Sequence, residues 1–210
     1  MQRLFRVLWS GAVCAFWLGC GSGPASVDSS LVGVWKRMDT TTGNVRDQIT
    51  FRQDGTFAFD EFKTNPSDED HVTGTFSASG GRLVMDGKNA KDQKSGHTEM
   101  SYYVNASAFL LGALLPTGAH EGVVGTWRGF VNSSIPPSVS NRSGEIEFRA
   151  NGTARGTLTN GGSTQTYEGT FTEVAAQQYK VSFPVSSSVT ISMTFRLVDN
   201  AALGDTVYQR

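Results

Sequence analysis

Val189-Thr190-Ile191-Ser192-Met193-Thr194-Phe195-Arg196-Leu197 alternates apolar and polar residues without a break. A period of two puts the odd positions on one face of an extended chain and the even ones on the other. The stretch therefore predicts a strand with one buried and one wet face. The same alternation places Thr98, Met100, Tyr102 and Val104 inward, with Glu99, Ser101 and Tyr103 outward. Val72, Gly74 and Phe76 share a face, as do Tyr167, Gly169 and Phe171, and Leu83 and Met85 match Val181 and Phe183. One-sided burial describes antiparallel strands around a core, not parallel strands covered on both faces. No stretch sustains a helical period, and 24 glycines punctuate the chain. The prediction is an all-β protein of short strands and tight turns.

Working outward from that run, the chain aligns with itself. Leu31-Val32-Gly33-Val34-Trp35 recurs as Val123-Val124-Gly125-Thr126-Trp127. Ile49-Thr50-Phe51-Arg52-Gln53-Asp54-Gly55-Thr56 recurs as Ile146-Glu147-Phe148-Arg149-Ala150-Asn151-Gly152-Thr153. Gly74-Thr75-Phe76 recurs as Gly169-Thr170-Phe171, and Met100 through Val104 corresponds to Met193 through Leu197. Four blocks in one order predict two tandem units, at 31–116 and 123–210. A short linker from Pro116 to Gly122 joins them.

The repeated turn fixes a register. A two-residue loop would pair Arg52 with Phe57, setting a charge beside an aromatic ring. A three-residue loop, Gln53-Asp54-Gly55, pairs Phe51 with Phe57 and Ile49 with Phe59, which keeps the apolar residues on one face. It requires a left-handed residue where Gly55 and Gly152 stand.

The start of the chain reads as a targeting segment. Arg3 and Arg6 precede the apolar run Val7–Leu18, whose twelve residues make about 18 Å of helix against a hydrocarbon core of about 30 Å. This predicts a helical secretory signal over 1–19 rather than a membrane span. Removing it takes away two positive charges and no acid, so the net charge falls from −1 to −3. The two cysteines are Cys14, inside the apolar run, and Cys20, at its end. Trp17-Leu18-Gly19-Cys20 resembles the bacterial lipoprotein processing box, in which the cysteine is acylated; the family usually has Leu where Trp17 stands. The resemblance implies a lipid anchor at Cys20 and a flexible tether over 20–30. Gly21 resembles the sorting signal for the outer membrane of Gram-negative cells, facing the periplasm or the cell surface. The competing reading is a plain signal peptide whose removal leaves a free thiol.

Gly-x-Trp on the first strand, Phe-x-x-Asp-Gly-Thr-Phe, then Gly-Thr-Phe and a hydrophobic meander together resemble bacterial lipocalin-like domains. That resemblance covers both units and implies two tandem small antiparallel meander barrels. Gly33 and Trp35, with Gly125 and Trp127, stand where the lipocalin signature places a tryptophan that closes one barrel end. Larger lipocalins pack an arginine on this tryptophan, and the sequence pattern does not mark which arginine would do so here. The second unit departs from the motif, with Asn151 for the turn Asp and Ala154 for the following Phe. Phe57 and Phe59 become Ala154 and Gly156, so two rings are missing from one interior. The vacated volume is either refilled by Tyr167, Tyr179, Phe183 and Phe195, or it is an apolar pocket. In the second case Phe148, Ala154, Gly156, Tyr167, Met193 and Phe195 line a ligand site.

Other chemistry is hard to place. Charged residues make up 18% of the chain and leave no basic footprint for nucleic acid. There is no Gly-x-Ser-x-Gly elbow, no zinc-ligand spacing and no phosphate or dinucleotide loop. The expectation is a non-enzymatic protein without metal or cofactor. Asp68-Glu69-Asp70-His71 could hold calcium but lacks the alternating ligand spacing, and reads as a solvated turn. Ala108-Phe109-Leu110-Leu111-Gly112-Ala113-Leu114-Leu115 is more apolar than its counterpart, Ala201 to Tyr208. It reads as a strand buried where the units meet, or else as an exposed contact for a partner or lipid. The functional expectation is a cell-envelope lipoprotein that binds a small apolar ligand or an envelope protein. Its rivals are filled barrels that only display loops such as Ile135-Pro136-Pro137, an enzyme, and a single outer-membrane barrel of about 14 strands.

Overall fold

The computed structural model describes residues 26–133, 140–160, 162–184, 186–204 and 207–210. Apart from a 3-10 turn at Pro66–Asp68, its regular elements are all β-strands. The first half supplies β1 (Gly33–Met38), β2 (Val45–Phe51), β3 (Thr56–Glu61), β4 (His71–Ser79), β5 (Arg82–Asn89), β6 (Ser95–Val104), β7 (Ala108–Leu111) and β8 (Leu115–Pro116). The second half supplies β9 (Gly125–Ser133), β10 (Ser140–Phe148), β11 (Thr153–Asn160) and β12 (Ser163–Ala175). It continues with β13 (Gln178–Pro184), β14 (Thr190–Val198), β15 (Ala202–Gly204) and β16 (Val207–Gln209). Strand pairings among the described residues are antiparallel.

The strands form two eight-stranded barrels, an architecture compatible with a tandem lipocalin-like fold. Strands β1 to β7 meander and close on themselves through β16, which lies between β1 and β7, while β6 pairs with β7. Strands β9 to β15 form the second meander, and β8 lies along the free side of β9. The remaining gap is spanned by Leu114 and Leu203, which exchange backbone hydrogen bonds of 2.7 and 2.9 Å. Each sequence repeat thus gives seven strands to its own barrel and its eighth strand to the other.

Pairing of β6 with β9, from Thr98–Ser133 to Met100–Val131, joins both barrels into one continuous ladder. The interiors stay separate. Trp35, Ile49, Phe51, Phe57, Phe76 and Phe109 belong to the first core, and Trp127, Ile146, Phe148, Phe183 and Leu197 to the second. Two interiors exclude a single wide barrel. Between them lies a third cluster of Leu110, Ala113, Val198 and Ala202. The apolar stretch 108–115 is therefore buried at the junction: Phe109 faces the first core, Leu110 the junction and Leu114 the second core.

The predicted three-residue turn is present in both copies. Phe51 pairs with Phe57 and Ile49 with Phe59; in the second unit Phe148 pairs with Ala154 and Ile146 with Gly156. Gly55 and Gly152 have φ of 79° and 81°, a region that favours glycine.

Two sequence expectations need correction. Residues 26–30 fall within the expected tether, yet Ser26 O accepts from Ala78 N at 2.6 Å, Val27 packs on the first core, and Asp28 accepts from the Tyr102 hydroxyl at 2.7 Å. The sequence pattern matches Met85 with Phe183, but the ladder pairs Gly74 with Gly87, and Thr170 with Ser182. Gly169 thus lies opposite Phe183, which occupies the place of Gly87. The signal segment, Cys20, residues 21–25, the Ile135-Pro136-Pro137 loop, Asp205 and Thr206 lie outside the described residues.

Candidate ligand site

Each barrel carries a tryptophan near the start of its first strand, Trp35 on β1 and Trp127 on β9. Trp35 and Trp127 are both fully buried, and each indole N–H donates at 2.7 Å to a carbonyl four residues earlier, Leu31 O and Val123 O. Gly33 and Gly125 have φ of 141° and 142°, and a Cβ on Gly125 would come 2.6 Å from the Cβ of His120. That backbone conformation explains the glycine in Gly-x-Trp. Against Trp127 packs the ring of His120, 4.8 Å between centroids. Against Trp35 packs Arg210, its guanidinium carbon 4.5 Å from the ring centroid. Arg210 Nη2 donates to Ser30 O at 2.8 Å and Val32 O at 3.0 Å. No sequence pattern marks this arginine, because it follows β16, a strand supplied by the other repeat.

The far ends differ. In the first barrel a charged network fills the mouth. Asp47 is fully buried and accepts from Arg37 Nε at 2.8 Å and from its Nη2. Lys63 lies 2.9 Å from Glu61 and 3.5 Å from Asp70, whose other oxygen accepts from buried Asn89 at 2.7 Å. The Asn89 and Lys63 contacts hold the Asp70 carboxyl below its ordinary range. Burial first, and then the charge of Asp47, pushes the Tyr208 hydroxyl well above its ordinary range.

Carried across the repeat, Arg37 becomes Gly129, Asp47 becomes Gly144, Glu61 becomes Leu158 and Asp70 becomes Gln165. No charge remains at these four positions in the second barrel. Leu158 and Ile191 are only partly buried and lie outside the second core cluster, and Tyr167 is partly buried where Val72 is 2% exposed. Tyr167 donates to Gln165 beside it.

Phe183 is fully buried at this end of the second barrel. A Cβ on Gly156 would meet its ring at 2.7 Å, and one on Gly169 would meet it at 2.8 Å. The ring of Tyr167 lies 6.2 Å away. The volume vacated at Gly156 is therefore occupied by an aromatic ring from β13, where the first barrel has Gly87. A large-to-small change on one strand is offset by a small-to-large change on another.

The six residues read as a ligand site divide to either side of the Phe183 ring. Gly156 and Tyr167 lie at the uncharged far end. Phe148 and Ala154, 1% and 0% exposed, are core, with Phe148 5.0 Å from Phe171. Met193 and Phe195 face inward on β14 toward the tryptophan end, beside Tyr179, the register partner of Phe195. Tyr167 and Phe171 are four residues apart on β12, about 13 Å along the strand. The aromatic differences between the repeats do not point to Leu158 or Ile191. Comparing the repeats at their charged positions, rather than at their aromatic ones, would have pointed to Leu158.

The acidic loop is occupied by its neighbours. Glu69 accepts from Lys63 N at 3.4 Å, His71 Nδ1 lies 2.9 Å from Asp60, and Asn65 caps the 3-10 turn through Ser67 N. Among the described residues no cluster of three His, Cys, Asp or Glu side chains is arranged to hold a metal. No family profile, curated protein or solved structure matches the chain.

Proposed function

We propose that this chain is a cell-envelope lipoprotein, anchored through an acylated Cys20, whose second barrel binds a small apolar ligand without catalysis. The observation that carries the reading is the contrast between the far ends. The same fold, on the same chain, keeps a partly exposed ion network around buried Asp47 in one mouth and has Gly129, Gly144, Leu158 and Gln165 at the matching positions of the other. A charged plug repels an acyl or aromatic group, because its ions would lose solvation and partners. A mouth lined by Leu158, Tyr167 and Ile191 over Phe183 offers apolar walls with one polar side chain, Gln165, to orient a ligand.

A second reading is supported by Phe183 itself. Its ring over Gly156 leaves the lower interior filled, which suits a structural lipoprotein that presents loops and carries no ligand.

Titration with an apolar fluorescent probe such as 1-anilinonaphthalene-8-sulfonate, together with mass spectrometry of co-purified lipid, separates the two. Under the ligand reading Leu158→Asp weakens probe binding at least about tenfold, because a carboxylate in the mouth must be desolvated. Glu61→Gln in the first barrel leaves it unchanged. No saturable binding, or binding indifferent to Leu158→Asp, leaves the display reading. Cys20→Ser tests the anchor: the chain should move from the membrane fraction to the soluble fraction.

A further inference from the structure

Strand β16 belongs to the second repeat by sequence and to the first barrel by structure, and its grip on β1 is reciprocal. Arg37 of β1 lies 5.8 Å from the ring of Tyr208 on β16. Arg210, which follows β16, lies 4.5 Å from the ring of Trp35 on β1. Each arginine is fixed from behind, Arg37 by buried Asp47 and Arg210 by the Ser30 and Val32 carbonyls. Tyr208 is 2% exposed and packs 5.7 Å from Phe109, while Val207, Tyr208 and Gln209 pair with Leu110, Phe109 and Ala108. Removing β16 would therefore open the first barrel between β1 and β7 and uncover Trp35 and Phe109.

The link from β15 to β16 is short. β15 ends at Gly204 in the second barrel, and β16 begins at Val207 in the first. Three Cα steps span at most about 11 Å, so β14 and β15 cannot leave the second barrel far without drawing β16 from the first. The reverse exchange has the same form: Leu114 and β8, which follow β7 closely, complete the second barrel against Leu203 and β9.

We infer that the double arginine–aromatic clasp on β16 couples the two barrels, so that they open and close as one cooperative unit and neither is folded while the other is not. This coupling is independent of the ligand reading. It gives the envelope protein a device by which an event in one barrel, such as displacement of β15, is felt in the other.

Hydrogen exchange of the full chain, resolved by peptide mass spectrometry in increasing denaturant, tests it. Core amides of β2, β4 and β5 and those of β10, β12 and β13 should reach the same protection at the global limit. Tyr208→Ala should lower both sets by the same factor, about a hundredfold, since it empties a buried aromatic site. If that variant fails to fold, Arg210→Ala decides: it removes one stack and two hydrogen bonds, and should lower both sets together by about tenfold. Loss of protection confined to the first barrel overturns the coupling. Unchanged protection of both sets in Arg210→Ala overturns the clasp.

Discussion

At the scale of single residues, the turn Asp54-Gly55-Thr56 shows why its copy Asn151-Gly152-Thr153 is equivalent. Asp54 Oδ1 accepts from Thr56 N at 2.9 Å and from Thr56 Oγ1 at 2.7 Å; Asn151 Oδ1 does the same for Thr153 at 3.1 and 2.7 Å. An amide oxygen serves as well as a carboxylate here, because the acceptor geometry does the holding. The following glycine is not interchangeable, since its φ near 80° is costly for any residue with a Cβ and most costly for a branched one. Gly55→Val should cost about 2 kcal/mol and lower the melting temperature by roughly 4–8 °C. A thermal melt that does not move would disprove the turn.

At the scale of elements, strand β13 carries the main difference between the two interiors. Its Phe183 fills the room above Gly156 and Gly169, and glycine at both positions is what admits the ring. Phe183→Ala should cost about 3–5 kcal/mol by leaving a cavity. In a variant that still folds, the same change deepens the uncharged mouth and should tighten apolar probe binding. Weakened binding in that folded variant would mean the probe sits elsewhere. Strand β7 shows the opposite economy, with successive side chains serving different cores. Gly204 and Gly129 make room for this: a Cβ on Gly204 would meet Leu110 at 2.4 Å, and one on Gly129 would meet Ala113 O at 2.6 Å. Ser101 ties the same place together, donating to Ala113 O at 2.6 Å and accepting from Phe130 N at 3.1 Å.

At the scale of the whole molecule, the two barrels share more than exchanged strands. Tyr103 of the first unit donates to Asp199 of the second at 2.9 Å, and Asn105 donates to the same oxygen at 2.6 Å. Burial, with the Asp199 hydrogen bond and charge behind it, pushes the Tyr103 hydroxyl up from 10.0 to about 12. A folded-state value above the unfolded one favours the protonated phenol, so this contribution is complete below pH 10 and is lost as pH rises toward 12. Wild type should therefore melt above Tyr103→Phe at pH 9, with the gap closing by pH 12. A gap that stays constant across that range would remove Tyr103 from the junction's pH response.

Much of this was legible in the primary structure. Alternation in Ile191–Leu197 determined strand and face, although Val189, expected inward, lies before β14 and is exposed; the repeated blocks determined two like interiors, because both follow from nearest-neighbour geometry along one chain. The Asp-Gly turn fixed its own register for the same reason. The apolar stretch 108–115 reads as a strand buried where the units meet or as an exposed contact; it is buried at the junction, but broken into β7 and β8 with Gly112 at φ 64° between them. Tertiary structure alone decided which barrel each eighth strand completes. Three residues of β16 carry too little pattern to choose a partner, and the choice rests on long-range contacts of Tyr208 with Phe109 and of Arg210 with Trp35. It also decided where the ring missing at Gly156 came from. Phe183 stands two residues out of step with the linear alignment, an offset set by ladder hydrogen bonds between strands and written nowhere in the order of residues along either one.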